Sequence, residues 1–402
     1  MRGPAEVSVT GPLAPWAAGY IDELSDQGYS PVSAAEHLRL MAHVSRWLER
    51  RGLQPHQLTD SVATEFLAQR RDAGYASRLS SRAIAPLLDH LRSVAVAPSA
   101  GQSPIRNSLE QLLDRYCRYL RGERGLAPLS IETYQPIVRR FLVSQWPDGD
   151  VRPEDLSAAD VIRFVERTCR GPHAGRASVL VSVLRSLLRF LYLEGEIGTQ
   201  LAAAVPKVAS WRLSALPRVV EQRDVSQLLH SCDRRTALGL RDYAILLLLI
   251  RLGLRASEVI SLQLADLDWR RGEIAIHGKG PQQDSLPLLR DIGEALAAYL
   301  RRGRPRFPSR SLFLRDHAPY RGLTRHAVSK LVRHACDRAE LPRMGPHRLR
   351  HTAASRMLAA GASPGDIAEV LRHRSLSSTA IYAKVDREAL RVVAQPWPGG
   401  AR

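Results

Sequence analysis

A chain of 402 residues, 45% hydrophobic and 24% charged, has the composition of globular protein and the length for two or three domains. Its net charge of +18 and pI near 10.5 imply a polyanionic partner, either nucleic acid or an acidic membrane surface. The longest uninterrupted apolar run, Ala244 to Ile250, is too short to span a bilayer, and the opening MRGPAEVSVTGP lacks a signal-peptide pattern, so a membrane partner is not expected. Cys117, Cys169, Cys232 and Cys336 lie far apart without a CxxC pair, which argues for reduced thiols rather than zinc or disulfides.

The charge is uneven. Residues 1–98 balance to zero, residues 99–210 carry +3, and residues 211–402 carry +15. Only Lys207, Lys279, Lys330 and Lys384 among the basic residues are lysines, so arginine does most of the charge work.

In chain order, residues 11–95 read as helices, with apolar positions at three- and four-residue steps in Leu38, Met41, Val44, Trp47 and Leu48, then in Val62, Phe66 and Leu67. Ser33, Thr59 and Asp60 are candidate caps, and GYSP at 28–31 marks a turn. Residues 108–195 repeat the pattern in Leu112, Leu113, Tyr116 and Leu120, in Ile137, Val138 and Phe141, in Val161, Ile162 and Val165, and in Val183, Leu184, Leu187, Leu188 and Leu191. LQPHQLTDSVATEFL at 53–67 aligns with VRPEDLSAADVIRFV at 151–165, so that Pro55 falls on Pro153, Leu58 on Leu156 and Phe66 on Phe164. Such self-similarity at a fixed offset predicts two tandem four-helix units. The second unit should end in an extended linker, VPKVASWRLSALP.

Beyond Val219 the pattern predicts two helical segments, the second broken by a Gly-Leu turn before a helix that starts near Ser257. EIAIHGKGPQQDSLPL alternates about Lys279 and reads as a β-hairpin. Helices resume at about 324–340, 347–360, 364–372 and 376–382. The fold class is therefore mainly α with a small β-hairpin or sheet in the C-terminal domain.

The chemistry collects in the same half. Arg255 opens a helix with Glu258 one turn on, a pair that on its own would be an ordinary surface ion pair. His347 and Arg350 share a helix face, where a guanidinium fork and an imidazole suit a phosphate. Arg348, His351 and Arg356 are assigned to a solvated face or to phosphate-backbone contacts. His373 and Tyr382 follow, and a tyrosine attacks a phosphodiester only where positive charge favours its phenolate over an ordinary pKa of about 10. Lys279 lies between two glycines in a chain that otherwise uses arginine. Unlike arginine, lysine can serve as an acid.

Arg255, Lys279, His347, Arg350, His373 and Tyr382, within GLRASEV, HRLRHT and AIYAKV, resemble the signature of the tyrosine recombinase (phage integrase) family over about residues 110–395. The resemblance implies helical SAM-like N-terminal domains and an α+β integrase-type catalytic domain. Its expected divisions are 1–98 for a first helical unit and 106–205 for a SAM-like core-binding clamp, then 206–217 for a linker, 218–395 for the catalytic domain and 396–402 for a tail. By resemblance, Arg255 and Arg350 clamp the scissile phosphate and Tyr382 attacks it to form a 3′-phosphotyrosyl link. Lys279 protonates the leaving 5′ oxygen, His347 transfers protons, His373 hydrogen-bonds the phosphate and Glu258 supports the site. The link keeps the energy of the broken bond, so no cofactor, neither metal nor nucleotide, is expected. The partners implied are double-stranded DNA at specific recombination sites, three further copies in a tetramer on two duplexes, and accessory or sister recombinases, in a cytoplasmic, nucleoid-associated setting. Arg372 stands where the family usually has glycine, and the hairpin lacks the family's further basic residues. The first unit, neutral overall, is expected to serve protein–protein contacts or positioning more than DNA affinity. A type IB topoisomerase, or a DNA-binding accessory protein without catalysis, are the rival readings.

Overall fold

The computed structural model describes residues 7–99, 108–169, 177–206, 219–278 and 283–372; Lys279, His373 and Tyr382, the linker over 207–217 and the helix expected at 376–382 lie outside the described residues. Contacts divide the chain into two units. One takes in the described residues up to 55, residues 66–96, and the described residues from 219 onward; the other takes in residues 56–65 and the described residues of 97–206.

In chain order the helices α1 (Ala17–Asp26), α2 (Pro31–Arg50), α3 (Asp60–Asp72) and α4 (Ser81–Ser93) come first. The apolar stripe of α2 is buried as its spacing requires, with Leu38, Met41, Val44 and Leu48 inaccessible. Its cap is Ser30 rather than Ser33: Pro31 takes the first helical position, and the Ser30 hydroxyl accepts from the Ser33 N–H at 3.3 Å. Thr59 does cap α3, accepting from the Val62 N–H at 3.3 Å.

The second series is α5 (Ser108–Gly122), α6 (Pro128–Gln145), α7 (Ala158–Cys169) and α8 (Ala177–Leu193), around a core that includes Tyr116, Phe141, Phe164, Leu184 and Leu188. Ile162 departs from the expected stripe: it follows Val161 directly, a third of a helical turn away, and is left exposed. The two series share local form at the aligned stretches. Each has a short 3₁₀ turn, Pro55–Gln57 and Pro153–Asp155, ahead of its third helix, and the matched residues Pro55 and Pro153, Leu58 and Leu156, and Phe66 and Phe164 are all buried.

After residue 219 come α9 (Gln222–His230), α10 (Ala237–Arg251) and α11 (Ala256–Ser261). Helix α10 is buried nearly all round because its sequence is apolar on every face, and it touches α9, α11, α12 (Arg290–Ala298), α13 (Arg325–Arg338) and α14 (Pro346–Ala359). The hairpin forms from β2 (Glu273–His277) and β3 (Gln283–Pro287), antiparallel with Ala275 opposite Ser285; a two-residue strand, β1 (Leu267–Asp268), adds to the free edge of β2. The last described helix is α15 (Pro364–Val370), two residues shorter than expected. It stops because Arg372 takes a left-handed conformation, φ +54°, the usual way to end a helix although rarely with arginine.

The N-terminal helices meet the segment before α13 at one glycine. The Tyr320 N–H donates to the Gln27 carbonyl at 3.1 Å, and the Tyr320 ring lies over Gly28, φ +83°. A Cβ at residue 28 would sit 2.3 Å from Tyr320 Cδ2. Gly28→Ala is therefore expected to destabilise the protein by about 2 kcal/mol, part from the left-handed backbone and part from the clash. Adding Tyr320→Ala should recover only the clash part, as non-additivity of the two changes in thermal melts. Additive losses would show that the ring does not press on the turn.

Candidate active site

The turn between α10 and α11 and the starts of α14 and α15's end converge on one carboxylate. Arg255 is the N-cap of α11 and Glu258 its third residue, so the side chain of Glu258 folds back to accept the Arg255 backbone N–H at 2.8 Å. The same carboxylate accepts the Arg255 guanidinium at 2.5 Å through its other oxygen. Arg372, 114 residues away in sequence, donates to it at 2.9 Å. Arg350 Nη1 stands 3.9 Å from it.

Three arginines thus share one buried acid. Burial pushes the Glu258 carboxyl up, but the Arg372 charge and the hydrogen bonds from Arg255 and Arg372 outweigh it and hold the group below its ordinary 4.5. It stays ionised, and the cluster keeps net positive charge.

Arg350 is 2% exposed, because on α14 it follows Leu349 and precedes Ala353 and Ala354, all buried. Its guanidinium is satisfied by backbone carbonyls: Nη1 donates to Gly253 at 2.6 Å and Nη2 to Leu371. Gly253 is in the left-handed region, φ +59°, and a Cβ there would meet Leu371 Cδ2 at 2.5 Å, so only glycine lets the chain present that carbonyl. Arg255 Nη2 in turn donates to the Arg372 carbonyl at 3.1 Å. The end of α15 is held by both arginines.

His347, one turn before Arg350, keeps an edge open to solvent. Partial desolvation, then the charges of Arg350 and Arg255, lower its pKa below 6.5, so its imidazole is neutral at pH 7. His351, assigned from the sequence to a solvated face or to phosphate-backbone contacts, is half-buried. Its ring lies edge-on to that of His347 with centroids 4.3 Å apart, and burial, His347 and Arg350 push its pKa down to about 4.

Arg255, Glu258, His347 and Arg350, singled out from the sequence, are therefore together in space. Sequence reasoning missed the Gly253 and Leu371 carbonyls as acceptors from Arg350, and it missed Arg372 as a partner of Glu258. The LGL stretch before Arg255 held one signal for this, a glycine three positions ahead of the first helical residue, Ala256.

Residues 218–389 match the profile of the phage integrase family, and residues 113–195 match that of the phage integrase N-terminal SAM-like domain. The chain is 42% identical to a putative integrase/recombinase of Sinorhizobium fredii, y4rA, with 98% of this chain and 96% of that protein covered. It is 30% identical to tyrosine recombinase XerD of Listeria monocytogenes over 71% of this chain and 97% of that protein. In fold it is similar to XerH site-specific recombinase, solved as a post-cleavage complex with a palindromic difH substrate, at a TM-score of 0.55 and 20% identity, with 83% of this chain and 94% of that one covered. With both domain profiles matched and a relative aligned over nearly its whole length, the chain belongs to the phage integrase family of tyrosine recombinases, enzymes that break and rejoin DNA strands.

Proposed function

We propose that this protein is a site-specific DNA recombinase or integrase of a mobile element, acting through a covalent 3′-phosphotyrosyl intermediate at Tyr382. The observation that carries the reading is the convergence of Arg255 and Arg350 on Glu258, from segments 95 positions apart, with His347 beside them. Planar guanidinium groups fixed at one point, with net positive charge left over, suit the oxygens of a phosphodiester.

In the proposed step the Tyr382 oxygen gives up its proton and bonds to phosphorus while the bond from phosphorus to the 5′ oxygen breaks. Lys279 supplies the proton that the 5′ oxygen takes. The neutral imidazole of His347 is suited to proton transfer, and His373 hydrogen-bonds a phosphate oxygen. Religation is the reverse attack by a 5′ hydroxyl, and the phosphotyrosyl bond conserves the energy for it. Glu258 contacts no phosphate in this scheme; it fixes Arg255 and the end of α15, from which the chain runs on to His373 and Tyr382. The catalytic domain at 218–395 and the core-binding domain at 106–205 would close on the duplex, four copies assembling on two duplexes.

Tyr382→Phe should abolish the detergent-stable protein–DNA adduct on a supercoiled plasmid carrying the DNA that flanks the gene, while binding persists. An adduct that survives the change would refute the assignment. Relaxation with no preferred site would point to topoisomerase action instead, and binding without an adduct in the unaltered protein to an accessory role.

Glu258→Gln should slow cleavage by roughly a hundredfold by freeing the arginines it orients, and should lower stability by about 3 kcal/mol because buried guanidinium groups lose their charged partner. The pH dependence has a definite sign. Because the folded-state pKa is depressed, the stabilisation is present above 4.5 and is lost as pH falls below it. Acid melts of the Gln variant should show a smaller loss over that range than those of the unaltered protein.

A further inference from the structure

A second cluster of arginines, well away in sequence from the first, remains without a role. Where the N-terminal helices meet the segment over 315–321, a cavity of about 420 Å³ is lined by Arg78 and Arg82 on one side and by Arg315 and Arg321 on the other, with Tyr29 and Asp89 also in its wall. Burial pushes the Tyr29 phenol up, while Arg321, Arg315, Arg78 and Arg82 all pull it down, which puts four guanidinium groups within electrostatic reach of one hydroxyl.

Acid compensates them only in part. Arg78 is 3.8 Å from Glu36, and Asp89 is the one carboxylate among the lining residues. Among the described residues, no hydrogen bond or ion pair is made by the guanidinium groups of Arg82, Arg315 or Arg321. Asp316, beside Arg315, is taken by Arg241 at 3.6 Å and His317 at 3.0 Å. Arg78 itself is in the left-handed region, φ +56°, a conformation that disfavours any side chain with a Cβ.

Converging arginines, three of which have no acidic partner among the described residues, are the chemistry of an anion site, and planar forks suit phosphate oxygens above other anions. We propose that this cavity binds a phosphate group, held jointly by the N-terminal helices and the 315–321 segment, and that its source is the DNA backbone. DNA is favoured over a free phosphate compound because the chain belongs to a family of DNA strand-breaking enzymes and because Arg82 and Arg321 are exposed, so that a long polymer can reach them. The zero net charge of residues 1–98 conceals this: their arginines at 78 and 82 face the basic part of the chain. The proposal gives the first helical unit a share in gripping DNA, beyond protein contacts alone.

The test uses the full chain with Arg82, Arg315 and Arg321 changed together to Gln, and Arg82→Gln alone, an exposed first-turn residue of α4 whose loss should leave folding intact. A control removes three charges at Arg223, Arg235 and Arg290, exposed arginines already paired with neighbouring acids. Affinity for a mixed-sequence duplex is measured against salt, and melting is measured with inorganic phosphate against chloride of equal ionic strength. Each phosphate neutralised contributes about 0.9 to the slope of log affinity on log salt, so the triple change, which removes the one phosphate held here, should flatten the slope by about 0.9 and the single change by less. The control should leave it nearly unaltered.

A flattened slope in the triple variant, not in the control, supports the DNA backbone as the source. An unaltered slope, with phosphate raising the melting temperature of the unaltered protein but not of the variants, keeps the phosphate site and assigns it to a free phosphate compound. No difference from the control in either measurement overturns the proposal. These readouts do not depend on strand cleavage, so a failure of the Tyr382 assignment would leave them intact.

Discussion

The site depends on a single buried carboxylate with more cations around it than it can neutralise. Glu258 is 5% exposed and is approached by Arg255, Arg372 and Arg350. An ion pair in such surroundings gives up hydration on both sides, and it is stable only when geometry and additional hydrogen bonds compensate. Here they do. Backbone carbonyls of Gly253, Leu371 and Arg372 accept the arginine N–H groups that the carboxylate does not reach, and the α11 N-terminus provides a backbone donor. The excess charge is left for an anion to meet, so one arrangement both holds α11, α14 and the end of α15 together and leaves the site electropositive.

Arg372 has two opposed effects in that arrangement. Its left-handed backbone costs free energy that glycine would not. Its side chain, nearly inaccessible, gives Glu258 a second strong donor and adds a third cation to the cluster. Its Nε has no partner among the described residues. The strain sits one peptide bond from His373, where the sequence continues toward the proposed nucleophile.

Much of this could be read from residue order alone, for identifiable reasons. The helices of the first two series follow from apolar periodicity in long segments such as Val183 to Leu191, and the hairpin from strict alternation in EIAIH. Helix α12 was not legible because its buried face includes Ala295 and its interior Gly293, which weaken the period, and β1 is too short to have one. Of the site, the side chains with phosphate chemistry stood out as residue types at helical spacing. Their acceptors did not, because a carbonyl at Gly253 or Leu371 has no residue-type signature, and the contact of Arg372 with Glu258 arises only when segments over a hundred positions apart are packed. The Arg78–Arg321 cavity was hidden for a related reason: charge summed over a segment says nothing about which face carries it.

Gly253 shows what such economy entails. At this one position the chain must turn with positive φ, leave room for a Leu371 methyl group and point its carbonyl at Arg350. Any side chain violates the first two at once, and trimming Leu371 to make room would disturb the segment that provides the other acceptor of the same arginine. Variants that fold but lack the site, and variants that keep the site on a loosened fold, are therefore not separated by single steps here. A lineage exploring new DNA targets would be free to alter the exposed surfaces that meet the duplex, while this turn would have no neighbouring solution to move to.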